Sequence, residues 1–368
     1  MGTDGRRTWL EWTRVVPVLA VLALAATWGR ELGVIAIVVV SILLAGSVLA
    51  AVHHAEVVAH RVGEPFGSLV LAVAVTVIEV ALIVTLMVSG GPESASLARD
   101  TVFAALMITT TGIVGLSLMV GAQRFHVTLF NAEGSGAALA TVTTLAALSL
   151  VLPTFTTSQP GPEFSPAQLT FAALASLALY GMFVLTQTVR HRDFFLPVAQ
   201  RGQGEQEDCD EHAEPPSGRE ALVSLGMLLL SLVAVVGLAK VESPTIEEGV
   251  AAVGFPPSFV GVVIALLVLL PETLAAVRAA RRGRIQTSLN LAYGSAMASI
   301  GLTIPTIALA SIWLDGPLVL GLGSTQLVLL VMTVVVSVLT VVPGRATRLQ
   351  GGVHLVLLAA FLFLAVNP

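Results

Sequence analysis

Two carboxylates stand where the chain is otherwise apolar. Glu79 lies in LVLAVAVTVIEVALIVTLMV, and Glu272 lies in FVGVVIALLVLLPETLAAVRAA. A charged side chain at the centre of a bilayer costs about 3 kcal/mol on insertion scales, so such residues face a partner or a wet cavity. A carboxyl kept there must be neutralised by a proton or a cation, and the chemistry on offer is ion and proton binding. A protonated glutamate bonded to a neighbouring helix is the plain alternative for one such residue. Two in matching surroundings argue against it. Gly63-Glu64-Pro65-Phe66-Gly67 precedes the first and Gly254-Phe255-Pro256-Pro257 the second, with 14 residues from Pro65 to Glu79 and 15 from Pro257 to Glu272. Each acidic stretch is followed by one rich in small and hydroxyl residues, ALMITTTGIVGLSLMVG and LNLAYGSAMASIGLTIP. Gly112, Gly115, Gly294 and Gly301 suit close helix packing. Thr76, Thr109, Thr110, Thr111, Asn290, Ser295 and Ser299 bring further oxygens to that depth.

The elements that hold these residues follow from composition. Of 368 residues 55% are hydrophobic and only 11% charged, against roughly 25% charged in soluble domains. No soluble fold of this size encloses so much apolar surface, which excludes a soluble enzyme; a disordered chain is excluded because such chains are polar. A net charge of -5 without a long basic run argues against nucleic acid. The single Cys209 leaves no intramolecular disulfide and no cysteine-based zinc site. The chain reads as an all-α polytopic membrane protein, its partners lipid and inorganic cations, with oligomeric state left open. Taking about 20 apolar residues per span, charges cut it into eleven helices near 14–29, 33–52, 67–88, 101–121, 135–152, 167–189, 221–239, 257–277, 288–313, 318–342 and 352–366. Arg6 and Arg7 before the first give it a signal-peptide look, but Glu11 and Arg14 interrupt the approach and no cleavage site follows, so it reads as an uncleaved helix.

Lys and Arg gather on the cytoplasmic side of such proteins. With the N-terminus inside, 15 of the 18 fall there and only Arg30, Arg99 and Lys240 outside. One helix too many or too few would scramble that split, so the N-terminus is expected inside and the C-terminus outside. The acidic helices are then the third and eighth. An offset of five means that they insert in opposite directions, the inverted-repeat plan of secondary transporters with the site near midplane at the repeat interface. Residues 1–32 carry a tail and an extra helix, 33–189 the first five-helix repeat, 190–220 an acidic cytoplasmic linker and 221–368 the second repeat. The linker, with Glu205, Glu207, Asp208, Asp210, Glu211 and Glu214 beside His212, reads as a solvated hinge; a cation-attracting role is the sharper alternative.

The stretches HHAEVVAHRVGEPFGSLVLAVAVTVIEVALIV and PETLAAVRAARRGRIQTSLNLAYGSAMASIGLTIP, with FNAEGSGAALATVTTLAALSLVLPTF between them, resemble the bacterial ChaA-type calcium/proton antiporters of the calcium/cation antiporter superfamily. The likeness spans roughly residues 50–365. It implies a multi-pass protein of the bacterial inner (plasma) membrane, Glu79 and Glu272 as the ion-binding acids, and polar residues of the fourth and ninth helices completing the site. The expected activity is export of Ca2+ in exchange for H+ by alternating access, with no cofactor. Two carboxylates match the charge of Ca2+, which takes 6–8 oxygens; Thr76, Thr110, Thr111, Asn290, Ser295 and backbone carbonyls are the supporting candidates. The sequence also departs from the family. Thr76-Val77-Ile78-Glu79 and Leu269-Leu270-Pro271-Glu272 lack the Gly-Asn pair that many superfamily repeats carry before the acid, and Thr111 stands before Gly112 where the ChaA-type pattern has Asn. Exchange of Na+ or K+ for H+ therefore stays open.

Other chemistries fit less well. His53, Glu56 and His60 share a helix face, with His54 beside them, but HExxH is absent and zinc hydrolysis is not expected; interfacial histidines, or proton sensing, are the alternatives. Arg278, Arg281, Arg282 and Arg284 read as topology determinants, with anionic lipid binding as the alternative. His126 and Cys209 receive no special role. A cation channel would also use acidic residues, yet no repeated pore loop is visible. An intramembrane enzyme lacks both Gly-x-Gly-Asp and HExxH.

Overall fold

The computed structural model describes residues 4–30, 32–62, 66–89, 95–198, 216–313 and 316–368. Gly63-Glu64-Pro65, Ser94, Cys209 and the acidic run of the linker lie outside the described residues. Eleven helical rods follow in order: α1 (Asp4–Thr27), α2 (Val34–Val62), α3 (Phe66–Ser89), α4 (97–125), α5 (132–155), α6 (166–190), α7 (Gly218–Ala252), α8 (Phe259–Arg281), α9 (Ile285–Ala310), α10 (Ser324–Val341) and α11 (Arg348–Val366). Among the described residues nine rods are long and apolar enough to cross a membrane, and α1 and α3 contribute the shorter apolar stretches Trp12–Thr27 and Ala74–Thr85. Val34, Ile35, Ile42, Leu222, Leu229 and Val356 are exposed. Water would penalise such a surface, whereas hydrocarbon accepts it, and helices leave no backbone group unpaired there.

The chain forms two compact units. One takes Met1–Ser94 with His212–Pro257, hence α1, α2, α3 and α7; the other takes Ala95–Glu211 with Ser258–Pro368, hence α4–α6 and α8–α11. In the first, α7 packs along α1, α2 and α3. The sequence reading cuts spans at charged residues and ends this helix at 239, before Lys240 and Glu242. The helix instead continues to Ala252 with Pro244 inside it. Glu242 is therefore a further buried acid within a helix, 3% exposed, accepting from Ser41 Oγ at 2.8 Å. Lys240 lies over the Trp28 ring, 5.2 Å from its centroid. These partners are distant in sequence, so local pattern alone ends the helix too early.

In the second unit α4 is the central rod. From Leu97 to Gly115 every residue but Arg99 is buried. A strand after α4, β1 (Val127–Leu129), pairs antiparallel with β2 (Arg345–Thr347) just before α11, in the register Val127↔Thr347 and Leu129↔Arg345. The pairing clips the end of α4 to the start of α11, which then runs back along α4. Arg348 donates to the Ala122 and Gln123 carbonyls near the end of α4, where a cation complements the helix dipole. At the far end the Phe103 and Phe361 rings meet edge to face, 5.7 Å apart.

Candidate functional site

Three adjacent threonines shape the middle of α4. The hydroxyls of Thr109, Thr110 and Thr111 donate to the carbonyls of Ala105, Leu106 and Met107, each four residues back. Such back-bonds compete with the helical N–H groups for the same oxygens. The local result is a π-helical turn, Ile108–Ile113, between the α-helical parts Leu97–Met107 and Val114–Phe125. The Val114 N–H bonds the carbonyls of Thr109 and Thr111, not that of Thr110 as α-geometry requires. A π-bulge inside an α-helix is a frequent mark of a functional position.

Glu272 comes to this turn through α8. Near the start of α8, Gly261 is so close to α4 that an added Cβ would lie 2.8 Å from Thr101 N. Near its end the Ala276 carbonyl accepts from Ser288 Oγ at 2.6 Å, at the start of α9. Ile285, on that same start, fills the space beside Gly121 near the end of α4. α8 and α4 thus run side by side in the same direction. Glu272 is eleven residues past Gly261 and Thr111 ten past Thr101, about 16 and 15 Å along their axes. The acid sits level with the threonine turn. It is half-buried, beside Pro271, and Thr273 Oγ1 donates back to the Leu269 carbonyl. Proline removes one ladder bond, so the helix is weakest where the acid leaves it.

The remaining expected residues divide. Counting back along antiparallel α9 from Ser288, Asn290 and Ser295 flank the level of Glu272. The Asn290 amide, however, is already engaged: Nδ2 donates to the Phe195 carbonyl at 2.7 Å, and Oδ1 accepts from Gln286 Nε2 at 2.9 Å. Gln286 in turn binds Asn131 N and Ser135 Oγ. Asn290 holds α9 against neighbouring segments. Ser295 is half-buried, and Ser299 and Thr109 are buried. Gly112, Gly115 and Gly301 do serve close approach, to Leu358, Gly351 and Tyr180 respectively; Gly294 does not, since an added Cβ would meet nothing within 4 Å. In the first unit, Thr76 and Glu79 are 4% and 3% exposed, and their spacing of three puts them on one face of α3. His54 Nε2 lies 3.0 Å from the Thr13 carbonyl, while His60 and Glu56 are exposed. Among the described residues no group of three or more His, Cys, Asp or Glu is placed to hold a metal.

The deciding comparison is with the family described as sodium/calcium exchanger protein, which matches residues 32–189 and 223–367. The chain belongs to this family. The exchangers are transporters, and the chain is a multi-pass membrane protein of their fold. It is 43% identical over 364 residues to y4hA of Sinorhizobium fredii, named as an ionic transporter, covering 97% of this chain and 96% of the relative. It is 34% identical over 356 residues to the sodium-potassium/proton antiporter ChaA of Escherichia coli, covering 96% and 95%. Its fold is similar to that of the H+/Ca2+ exchanger CAX, with a TM-score of 0.71 at 15% identity, covering 99% and 94%.

Two features of the exchanger lie beyond the sequence reading. Glu242 is hidden by an early helix end. His354 is wholly buried, between the Thr110 carbonyl and Thr340. A histidine alone in the apolar run after Gly351-Gly352 is the signal that would have found it.

Proposed function

We propose that the protein exchanges a cation for protons, with Glu272 and Glu79 as the groups that carry either one. The observation that supports this most directly is Glu272 at the level of the Thr109–Thr111 turn, where a carboxylate, hydroxyl oxygens and a distorted backbone ladder share one depth. A proton and a cation neutralise the same carboxylate, so they compete for it. If the protein changes conformation only with its acids neutralised, exchange follows from that competition, and an empty, charged carrier does not return.

Na+ or K+ is the cation favoured here. The Asn290 amide is engaged elsewhere, no Gly-Asn pair precedes either acid, and the relative ChaA is a sodium-potassium/proton antiporter. Hydroxyl oxygens without an amide ligand make a poorer set for Ca2+, which collects 6–8 oxygens. Ca2+ is the second reading, favoured by the presence of two acids whose charges equal its own. The 15 to 3 distribution of Lys and Arg supports a cytoplasmic N-terminus.

Everted vesicles with a preformed pH gradient give the test. Adding NaCl, KCl or CaCl2 should release protons through the wild type, with the monovalent ions effective at lower concentration. Glu79→Gln and Glu272→Gln should each abolish the response while the protein still inserts, and the Asp variants should retain part of it. Full exchange by either Gln variant refutes the assignment; a response to CaCl2 alone replaces the monovalent reading with the calcium one.

A further inference from the structure

The π-turn of α4 raises a question of support. The Thr110 carbonyl has lost the Val114 N–H that α-geometry would give it, and it is buried in the central rod of its unit. A buried carbonyl without a donor is costly, about 1–3 kcal/mol. The donor comes from α11. His354 Nδ1 lies 3.0 Å from Thr110 O, and its Nε2 lies 3.1 Å from Thr340 Oγ1 on α10. A carbonyl can only accept, so Nδ1 carries the hydrogen and, in the neutral ring, Nε2 is an acceptor; the Thr340 hydroxyl beside it has one hydrogen, with the Val336 carbonyl also in reach at 2.9 Å. His354 is 0% exposed.

The approach is built into the sequence on both sides. Gly351 is three residues before His354, on the same face of α11. A Cβ on Gly351 would lie 2.7 Å from Met119 N, and one on Gly115 would lie 3.0 Å from both Gly351 O and His354 Cβ. One turn past His354, Leu358 reaches within 3.2 Å of a Cβ added to Gly112. The two glycines let the helices come close enough for an imidazole to reach a main-chain oxygen of the neighbouring helix. The β1–β2 pairing fixes the register in which it does so.

We propose that His354 is a positioning residue for transport: its Nδ1–H, bonded to Thr110 O, holds the π-turn in the geometry that sets the Thr109–Thr111 oxygens beside the Glu272 level. The inference rests on the reading of that level as the ion site. It assigns the role to the δ nitrogen alone, and that makes it separable from packing. Asparagine carries an N–H donor near the δ position and none at ε. Glutamine carries its donor near the ε position, and leucine carries none.

The experiment measures His354→Asn, His354→Gln and His354→Leu in two ways. In everted vesicles the apparent cation affinity for proton release should fall at least tenfold in the Gln and Leu variants and stay within threefold of wild type in Asn. In purified protein, amide exchange over residues 105–121 should accelerate in Gln and Leu and remain near wild type in Asn. A role in filling space predicts the reverse order, since Gln and Leu match histidine in size better than Asn does, and that order overturns the proposal. Equal behaviour of all three variants overturns it as well. If the wild type releases no protons to any cation, the transport reading fails by itself, and the amide exchange still decides whether Nδ1 holds the turn.

Discussion

Gly261→Ala is a one-methyl perturbation about 16 Å from the acid that it should disturb. The added Cβ would sit 2.8 Å from Thr101 N and 2.9 Å from Asp100 C, both backbone atoms. Ordinary contact begins at 3.4 Å, so α8 must retreat from α4 by about 0.6 Å at that point. The far part of α8 is held by the Ser288 hydroxyl on the Ala276 carbonyl, with Ala276 wholly buried. If α8 tilts rigidly about Ala276, Glu272 lies four of the fifteen residues from the pivot, and its backbone shifts by about 0.16 Å. If the whole helix slides outward, the shift is the full 0.6 Å. Misplacement of a reacting group costs about 10²-fold per Å. On that scale the apparent cation affinity should fall between about twofold and about fifteenfold. Overpacking should also lower stability by about 1–3 kcal/mol.

Both quantities are measurable on the same preparation: proton release against cation concentration in everted vesicles, and thermal unfolding of the purified protein. The expected pattern is a loss of affinity with the maximal rate largely kept. Pro271 offers the one escape. Should the missing ladder bond there act as a free hinge, the upper part of α8 would swing alone and Glu272 would not move. Gly261→Ala would then lose stability yet exchange like the wild type, and the rigid coupling of α8 to the threonine turn would be refuted.

Other expectations are independent of that coupling. A cysteine introduced at Glu163 should label from outside intact cells and native Cys209 should not; labelling of Cys209 would reverse the orientation. Neutralising Glu205, Glu207, Asp208, Asp210, Glu211 and Glu214 together should leave the apparent Km unchanged if the linker is a hinge, whereas a large rise would favour the ion-attracting role. Asn131 caps α5 by accepting from Glu133 N and Gly134 N, so Asn131→Ala should lower unfolding stability by about 1 kcal/mol. Tyr293 is 1% exposed with an unbonded hydroxyl; Tyr293→Phe should leave the unfolding temperature unchanged or raise it, and a clear fall would show a partner for that oxygen.

How much of this was legible in the sequence depends on the length scale of each signal. Spans are long and apolar because hydrocarbon demands it, and eleven helices could be counted from charge and hydropathy alone. Glu79 and Glu272 stood out because a carboxyl in such a run has no cheap reason to be there. The same logic misses Glu242: the charges of Lys240 and Glu242 read as the end of a span, whereas Ser41 and Trp28, about 200 residues away, meet them along a longer helix. The glycines show the same limit. Gly301 and Gly294 are alike in sequence, but only Gly301 meets a neighbour, the Tyr180 ring on α6.

The candidate site lies between these cases. Its threonines were visible as oxygens at the right depth, and their role as ligands was the natural expectation. What the chain could not announce is that their hydroxyls turn back onto Ala105, Leu106 and Met107, so that the hydrogens are spent on the helix itself. That local competition produces the π-turn and detaches the Thr110 carbonyl from its α-helical donor. A second helix must then be brought in to serve it, through two glycines and a short β pairing that no periodicity predicts. The acids declare themselves by cost. The geometry around them depends on contacts between distant segments, and for Thr110 the decisive one is a single nitrogen of His354.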